Sequence, residues 1–155
     1  KLLKEKASLV ADFYCYCILS NHFHILVKIK SEEKIRENFA EKNEIEISKI
    51  ISQQFSNAFN SYTQAINKHF GRTGKLFELP FRRKLITSEE YLIKAILYIH
   101  NNPKKHFITN EIFDYSNSSL PIIVLNDSNF IKSNEVIELF GDMENLKIVH
   151  QNYNL

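Results

Sequence analysis

The sequence contains no apolar run long enough to span a bilayer, and its first residues do not resemble a secretory leader. It has only two cysteines, Cys15 and Cys17, whose spacing along one predicted strand is poorly suited to a disulfide. It also lacks internal repeats and low-complexity linkers. We therefore expect a protein of a reducing cytosol with no membrane segment, in which 155 residues form one domain with an appended tail.

The net charge of +2 hides an uneven distribution of charged residues along the chain. Residues 68–106 contain nine Lys and Arg against three Asp and Glu, whereas residues 107–155 contain two against seven. The first segment therefore has a balance of +6 and the second a balance of −5. A local basic segment attracts phosphate backbones, which makes nucleic acid a candidate partner. A solvated protein face is the alternative interpretation.

Residue patterns in the first half predict two strands followed by a long helix. Residues 9–19 and 22–29 are rich in β-favouring residues, and the short link Ser20-Asn21 predicts a hairpin or a bent edge. Residues 31–45 are predicted to be a loop with some helix. Apolar residues at three- and four-residue steps predict a helix over 46–70 that ends at Gly71.

The second half is predicted to be mostly helical after a short strand over 81–86. Thr87 and Glu90 form a capping-box pattern for a helix over 88–101, which Pro103 should end. Residues 103–130 are predicted to be irregular. Two short helices, over 134–140 and 143–152, should follow, with a break at Gly141.

Two pairs of side chains stand out from these elements. His22 and His24 are two apart on a predicted strand, so both imidazoles face the same side of the sheet and can be aimed at one metal ion. Tyr98 and Asn102 are four apart on a predicted helix and share one helix face. Each pair alone is weak evidence, because strand histidines and helix tyrosines usually have structural roles. Together they suggest a divalent cation beside a nucleophile.

This combination suits phosphoryl transfer. Two imidazoles and one amide oxygen leave coordination positions open for a phosphate oxygen, which the ion would polarise. Tyrosine is a poor nucleophile at neutral pH because phenols have a pKa of roughly 10, so both metal and base assistance would help. Attack exchanges one phosphoester for another, so DNA strands could be rejoined without a nucleotide cofactor.

Three motifs resemble single-tyrosine transposases of the His-hydrophobic-His (HUH) family, which includes small insertion-sequence and REP-associated members. The first is His22-Phe23-His24 after Asn21, and the second is the Gly-Arg-x-Gly-x-Leu stretch at 71–76. The third is Glu90-Tyr91-Leu92 followed by Tyr-Ile-x-x-Asn-Pro at 98–103. The resemblance runs from about residue 7 to residue 105.

The resemblance implies an α+β fold with a ferredoxin-like antiparallel sheet and helices packed on it, of HUH endonuclease type. Tyr98 would form a 5′-phosphotyrosine on single-stranded DNA beside hairpins. His22, His24 and Asn102 would bind Mg²⁺ or Mn²⁺. The catalytic domain would cover residues 1–106, without the family's N-terminal strand, and residues 107–155 would be a helical extension. The protein would be bacterial and cytoplasmic, as a monomer or homodimer.

Basic residues near the Tyr98 helix in sequence are the candidates for phosphate contacts. They are Lys68, Arg72, Lys75, Arg82, Arg83 and Lys84. Phe77 and Phe81 are candidates for stacking on unpaired bases, with a core role as the alternative.

Two other functions remain open. A truncated or domesticated relative would bind DNA hairpins without cutting them. An unrelated zinc enzyme would combine Cys15 and Cys17 with the two histidines.

Overall fold

A computed structural model describes residues 2–42, 44–77, 82–127 and 130–153 of the chain, without the side chain of residue 42. The fold is α+β, as predicted: one two-stranded antiparallel sheet and a series of helices. The strands are β1 (Ala11–Ile18) and β2 (Phe23–Ile29). The helices are α1 (Leu2–Lys6), α2 (Glu32–Asn38), α3 (Ile47–His69), α4 (Glu89–Lys105), α5 (Leu120–Leu125), α6 (Ser133–Leu139) and α7 (Met143–Asn152). None of these helices is long and apolar enough to cross a membrane.

The chain divides into two compact units, one of residues 1–11 and 29–84 and one of residues 12–28 and 85–155. In the first unit, α1 and the short 3-10 turn after it pack against α3. Helix α2 lies in the segment expected to be mainly loop, because Ser31 caps it by accepting a hydrogen bond from the Lys34 backbone. The short strand predicted over 81–86 is wrong for residues 82–86, which form no strand, and Phe81 lies outside the described residues.

The second unit contains the hairpin except for its two outermost strand residues, Ala11 and Ile29. The Leu19 N–H donates to the His22 carbonyl at 2.8 Å and closes the Ser20-Asn21 link, so the hairpin alternative is confirmed. The other edge of β1 is covered by coil: the Ser119 N–H donates to the Tyr16 carbonyl at 3.0 Å. A bridge from Cys17 to Ser118 lies in the same coil, and a bridge from Phe13 to Ile131 pairs β1 with a second segment beyond residue 125.

Helix α4 runs one turn further than predicted. It continues through Pro103 to Lys105, and its N-cap is Ser88, which accepts from the Tyr91 N–H at 3.2 Å. Proline removes one backbone donor and crowds the preceding turn. The missing donor would have bonded the Ile99 carbonyl. Two asparagine side chains bond the turn just before it: Asn101 Nδ2 donates to the Leu97 carbonyl and Asn102 Nδ2 to the Tyr98 carbonyl. These bonds hold the turn that carries the site.

A buried chain of hydrogen bonds fixes the opposite side of α4. His100 Nδ1 lies 2.9 Å from Nε2 of His150, and His100 Nε2 lies 2.9 Å from the Ser119 hydroxyl. His150 Nδ1 donates to the Leu146 carbonyl at 2.8 Å, since a carbonyl only accepts. It follows that His100 donates to His150 and Ser119 donates to His100, so every nitrogen is satisfied with both rings neutral.

Burial keeps both rings of this pair neutral. Desolvation lowers the pKa of His150 to about 4, partly offset by its bond to the Leu146 carbonyl. Desolvation, and then the neighbouring His150, lower the pKa of His100 well below its usual value. His100 and His150 had no interpretable pattern in the sequence, because they lie 50 residues apart. The pair joins α4 to α7.

Candidate functional site

The structure brings Tyr98 to the histidine-bearing strand within the second unit. The ring centroids of His24 and Tyr98 lie 5.5 Å apart at an interplanar angle of 77°, an edge-to-face contact. The ring centroids of His22 and His24 lie 5.2 Å apart. The phenol of α4, the imidazole of His24 on β2 and the imidazole of His22 just before β2 therefore share one site.

The side chains of β2 on the face opposite the histidines are only partly buried. Phe23, Ile25 and Val27 are only half-buried, whereas Leu26, on the histidine side, is 8% exposed. The core contribution comes from β1, where Phe13 is 1% exposed.

His106 and Lys105 belong to the site, although sequence reasoning missed them. The His106 ring lies 5.0 Å from the His22 ring. Lys105 Nζ lies 4.6 Å from the centre of the Tyr98 ring and 3.5 Å from its hydroxyl oxygen. Positions 98, 102 and 106 follow at four-residue steps on one helix face. If the predicted helix had been continued through Pro103, Lys105 and His106 would have been placed near Tyr98 on the same face. They were missed because Pro103 was taken as the end of the helix.

Asn102 lies between these two contacts on α4, one turn from Tyr98 and one turn from His106. Its side chain is fully buried, and Oδ1 has no hydrogen-bond partner among the described residues. Buried carbonyl oxygens are rarely left without a partner, and Asn102 shares the helix face of Tyr98 and His106, so its unpaired oxygen fits a cation ligand. Asn101 Oδ1 is also buried and unpaired. Only Asn102, however, lies at a four-residue step from both Tyr98 and His106, and so on their helix face.

Each imidazole of the strand is held in a form that can bind a cation. His22 Nδ1 lies 2.7 Å from Asn21 Oδ1, and since an amide oxygen only accepts, this bond selects the tautomer with the proton on Nδ1 and the lone pair on Nε2. Desolvation, followed by nearby His22, His106 and Lys105, lowers the pKa of His24, so that its ring is neutral. The donor set of two imidazoles and one amide oxygen thus suits a divalent ion.

No group of three or more His, Cys, Asp or Glu side chains within the described part of the chain could hold a metal ion. A site here therefore depends on the amide of Asn102. Among the described residues, the buried Cys15 and Cys17 therefore form no such group with the two histidines. Burial raises the pKa of Cys17 to about 11 and that of Cys15 well above its usual value, so both stay as thiols.

The six basic candidates lie in the first unit, and all are exposed: Lys68, Arg72, Lys75, Arg82, Arg83 and Lys84. The loop after α3 is fixed by two bonds, from Asn67 Nδ2 to the Gly74 carbonyl at 2.9 Å and from Arg72 Nη2 to the Lys75 carbonyl at 3.3 Å. Phe77 packs on Phe59 and Tyr62 at centroid distances of 5.4 and 5.9 Å. Its ring is therefore part of an aromatic cluster on α3.

Comparison with family models, with curated proteins and with solved structures found no match to this chain.

Proposed function

We propose that this protein cuts and rejoins single-stranded DNA through a covalent bond between Tyr98 and a 5′-phosphate. The observation that carries the proposal is the contact of the Tyr98 ring with His24 at 5.5 Å, with Lys105 Nζ 3.5 Å from the phenol oxygen. A phenol beside two imidazoles and a cation suits attack on a phosphodiester.

The reaction exchanges one phosphoester for another. The Tyr98 oxygen forms a bond to phosphorus as the bond from phosphorus to the 3′-oxygen breaks. The phenol loses its proton to solvent, and the released 3′-hydroxyl takes one up. In the reverse step a 3′-hydroxyl attacks phosphorus and loses its proton to solvent as the bond from phosphorus to Tyr98 breaks. The Lys105 ammonium stabilises the charge on the departing phenol oxygen, which then takes up a proton.

His22, His24 and Asn102 would hold the divalent ion, Mg²⁺ or Mn²⁺. When bound, the ion would polarise the scissile phosphate and stabilise negative charge on its oxygens. Asn21 orients the His22 ring for this task, and the helix bond from Asn102 Nδ2 to the Tyr98 carbonyl at 2.7 Å orients the amide oxygen.

The resemblance to HUH transposases supports the same chemistry, and with it a ferredoxin-like sheet, hairpin substrates and a cytoplasmic, bacterial setting. The exposed basic residues of the first unit supply phosphate contacts in this proposal. The division into a catalytic domain over residues 1–106 and an extension over residues 107–155 stays a prediction, as does the choice between monomer and homodimer.

The test is covalent adduct formation on a single-stranded hairpin oligonucleotide with Mn²⁺. Tyr98→Phe should abolish the adduct, because it removes only the attacking oxygen. Tyr91→Phe, on the same helix seven residues earlier, is the matched control and should keep it. An adduct that survives Tyr98→Phe at wild-type yield would refute the assignment.

Hairpin binding without cleavage is the second candidate. It is favoured by the sheet of the described residues, which has two strands and is smaller than the sheet the resemblance implies. Tight gel-shift binding of a hairpin, with no cleavage at any Mn²⁺ concentration, would establish this function in place of the first.

A further inference from the structure

Phe107 occupies a backbone position that suits glycine. It follows the His106 cap of α4 with φ 54°, in the left-handed region. Its N–H donates to the Lys104 carbonyl at 3.1 Å, and the Ile108 N–H donates to the Pro103 carbonyl at 2.9 Å. This is the bonding of a Schellman motif, in which glycine usually takes the left-handed position because a side chain is strained there.

The Phe107 side chain is not buried in the core, so burial does not offset this strain. It is 97% exposed, the most exposed of the large apolar side chains in the described residues. An exposed phenyl ring at a strained position lowers the stability of the fold in two ways, since it is both hydrated and conformationally disfavoured. A role outside folding accounts for such a residue.

The surroundings of Phe107 indicate what would cover it. It directly follows His106, whose ring lies 5.0 Å from His22, and Lys105, whose ammonium lies over the Tyr98 ring. Lys104 adds a second positive charge next to them. An exposed aromatic ring beside cations is the composition of surfaces that bind single-stranded nucleic acid, where rings stack on bases and cations contact phosphates.

We propose that Phe107 is a stacking platform for a base of single-stranded DNA next to the scissile phosphate. This subsite rests on the proposed function. Because every base has a flat face, the platform would position the strand without reading its sequence. The helix end that presents Lys105 to Tyr98 would thus also place the substrate.

The first experiment uses the absence of tryptophan from the chain. Phe107→Trp introduces a single indole, whose emission should be quenched when an oligothymidylate of about 12 nucleotides binds. A matched strand of abasic residues should not quench it. Leu125→Trp is the control, because Leu125 is an apolar residue of the same unit that is 75% exposed and lies on a different helix, α5. Equal quenching by the abasic strand would overturn the proposal.

The second experiment separates binding from stability. Phe107→Gly should weaken binding of the labelled oligothymidylate about 5- to 150-fold in fluorescence anisotropy, the loss of one stacked base. The same variant should unfold about 2–4 °C higher, because it relieves the strain. Asn126→Gly also replaces a left-handed residue, with φ 49°, and should leave binding unchanged.

The outcomes distinguish this proposal from the one it rests on. Wild-type affinity in Phe107→Gly, with adduct formation intact, would overturn the platform and leave the proposed function standing. Failure of the wild-type protein to bind or cut the strand would overturn both. Conversion of a wild-type dimer to a monomer in Phe107→Gly, at unchanged DNA affinity, would assign the ring to self-association and overturn the platform.

Discussion

The ammonium group of Lys105 lies 3.5 Å from the hydroxyl oxygen of Tyr98 and 4.6 Å from the centre of its ring. The two residues are seven apart on α4, which is two helical turns, so the helix itself sets the contact. This relationship exists only because α4 passes through Pro103. It places the ammonium group beside the oxygen that is proposed to attack and to leave.

Removal of the Lys105 charge should slow the reaction more than it weakens DNA binding. Lys105→Gln should reduce the single-turnover rate of adduct formation about 10-fold, less than the ~100-fold or more typical of a buried donor, because Lys105 is exposed. Lys105→Arg should retain most of the rate. The matched variant Lys104→Gln should change only the affinity for DNA. An equal loss of rate in both variants would mean that Lys105 acts only by attracting the phosphate backbone and has no specific role at the Tyr98 oxygen.

The two neighbouring asparagines of α4 should differ in function and not in stability. Both are fully buried and donate to the carbonyl four residues earlier, so Asn101→Ala and Asn102→Ala should each lower the free energy of unfolding by about 1 kcal/mol. Asn102→Ala should also raise the Mn²⁺ concentration needed for half-maximal cleavage at least ~10-fold.

Urea denaturation and a Mn²⁺ titration of cleavage would measure these two quantities. Asn101→Ala is the control for the lost helix bond. If both variants kept the wild-type Mn²⁺ requirement, Asn102 would be excluded as a ligand.

The buried His150 should make the fold sensitive to acid. Its pKa is lowered to about 4 in the folded protein, so between about pH 6.5 and pH 4 the unfolded chain binds a proton that the folded chain does not. Stability is therefore complete above about pH 6.5 and falls as the pH decreases to about 4, by about 3 kcal/mol from this group.

Urea denaturation at pH 8 and pH 4.5 measures this effect. His150→Gln should be less stable at pH 8, because the bond to the Leu146 carbonyl is lost, but should lose less stability on acidification. The exposed His69 on α3 provides the control variant His69→Gln, which should keep the wild-type pH dependence. A wild-type dependence in His150→Gln would disprove the assignment.

The strands and the long helix followed from local patterns, and so did the sharing of a face by His22 and His24. These features depend on residues close together in the sequence, where alternation and helical spacing fix the geometry. The errors also came from local signals. The proline stop signal shortened the predicted α4, although proline removes only one backbone donor and the helix continues through Pro103 to Lys105. The N-cap of α4 is Ser88 and not the predicted Thr87, because serine and threonine side chains can both accept the capping hydrogen bond.

The sequence by itself determined which groups can do chemistry: two imidazoles on one strand face, and a phenol and an amide on one helix face. Only the tertiary structure decided that these faces meet, because packing joins segments more than 70 residues apart that have no pattern in common. It also decided that Lys105 and His106 complete the site and that His100 and His150 lie buried as a neutral pair. Contacts between distant segments depend on how whole elements pack, which no local periodicity specifies.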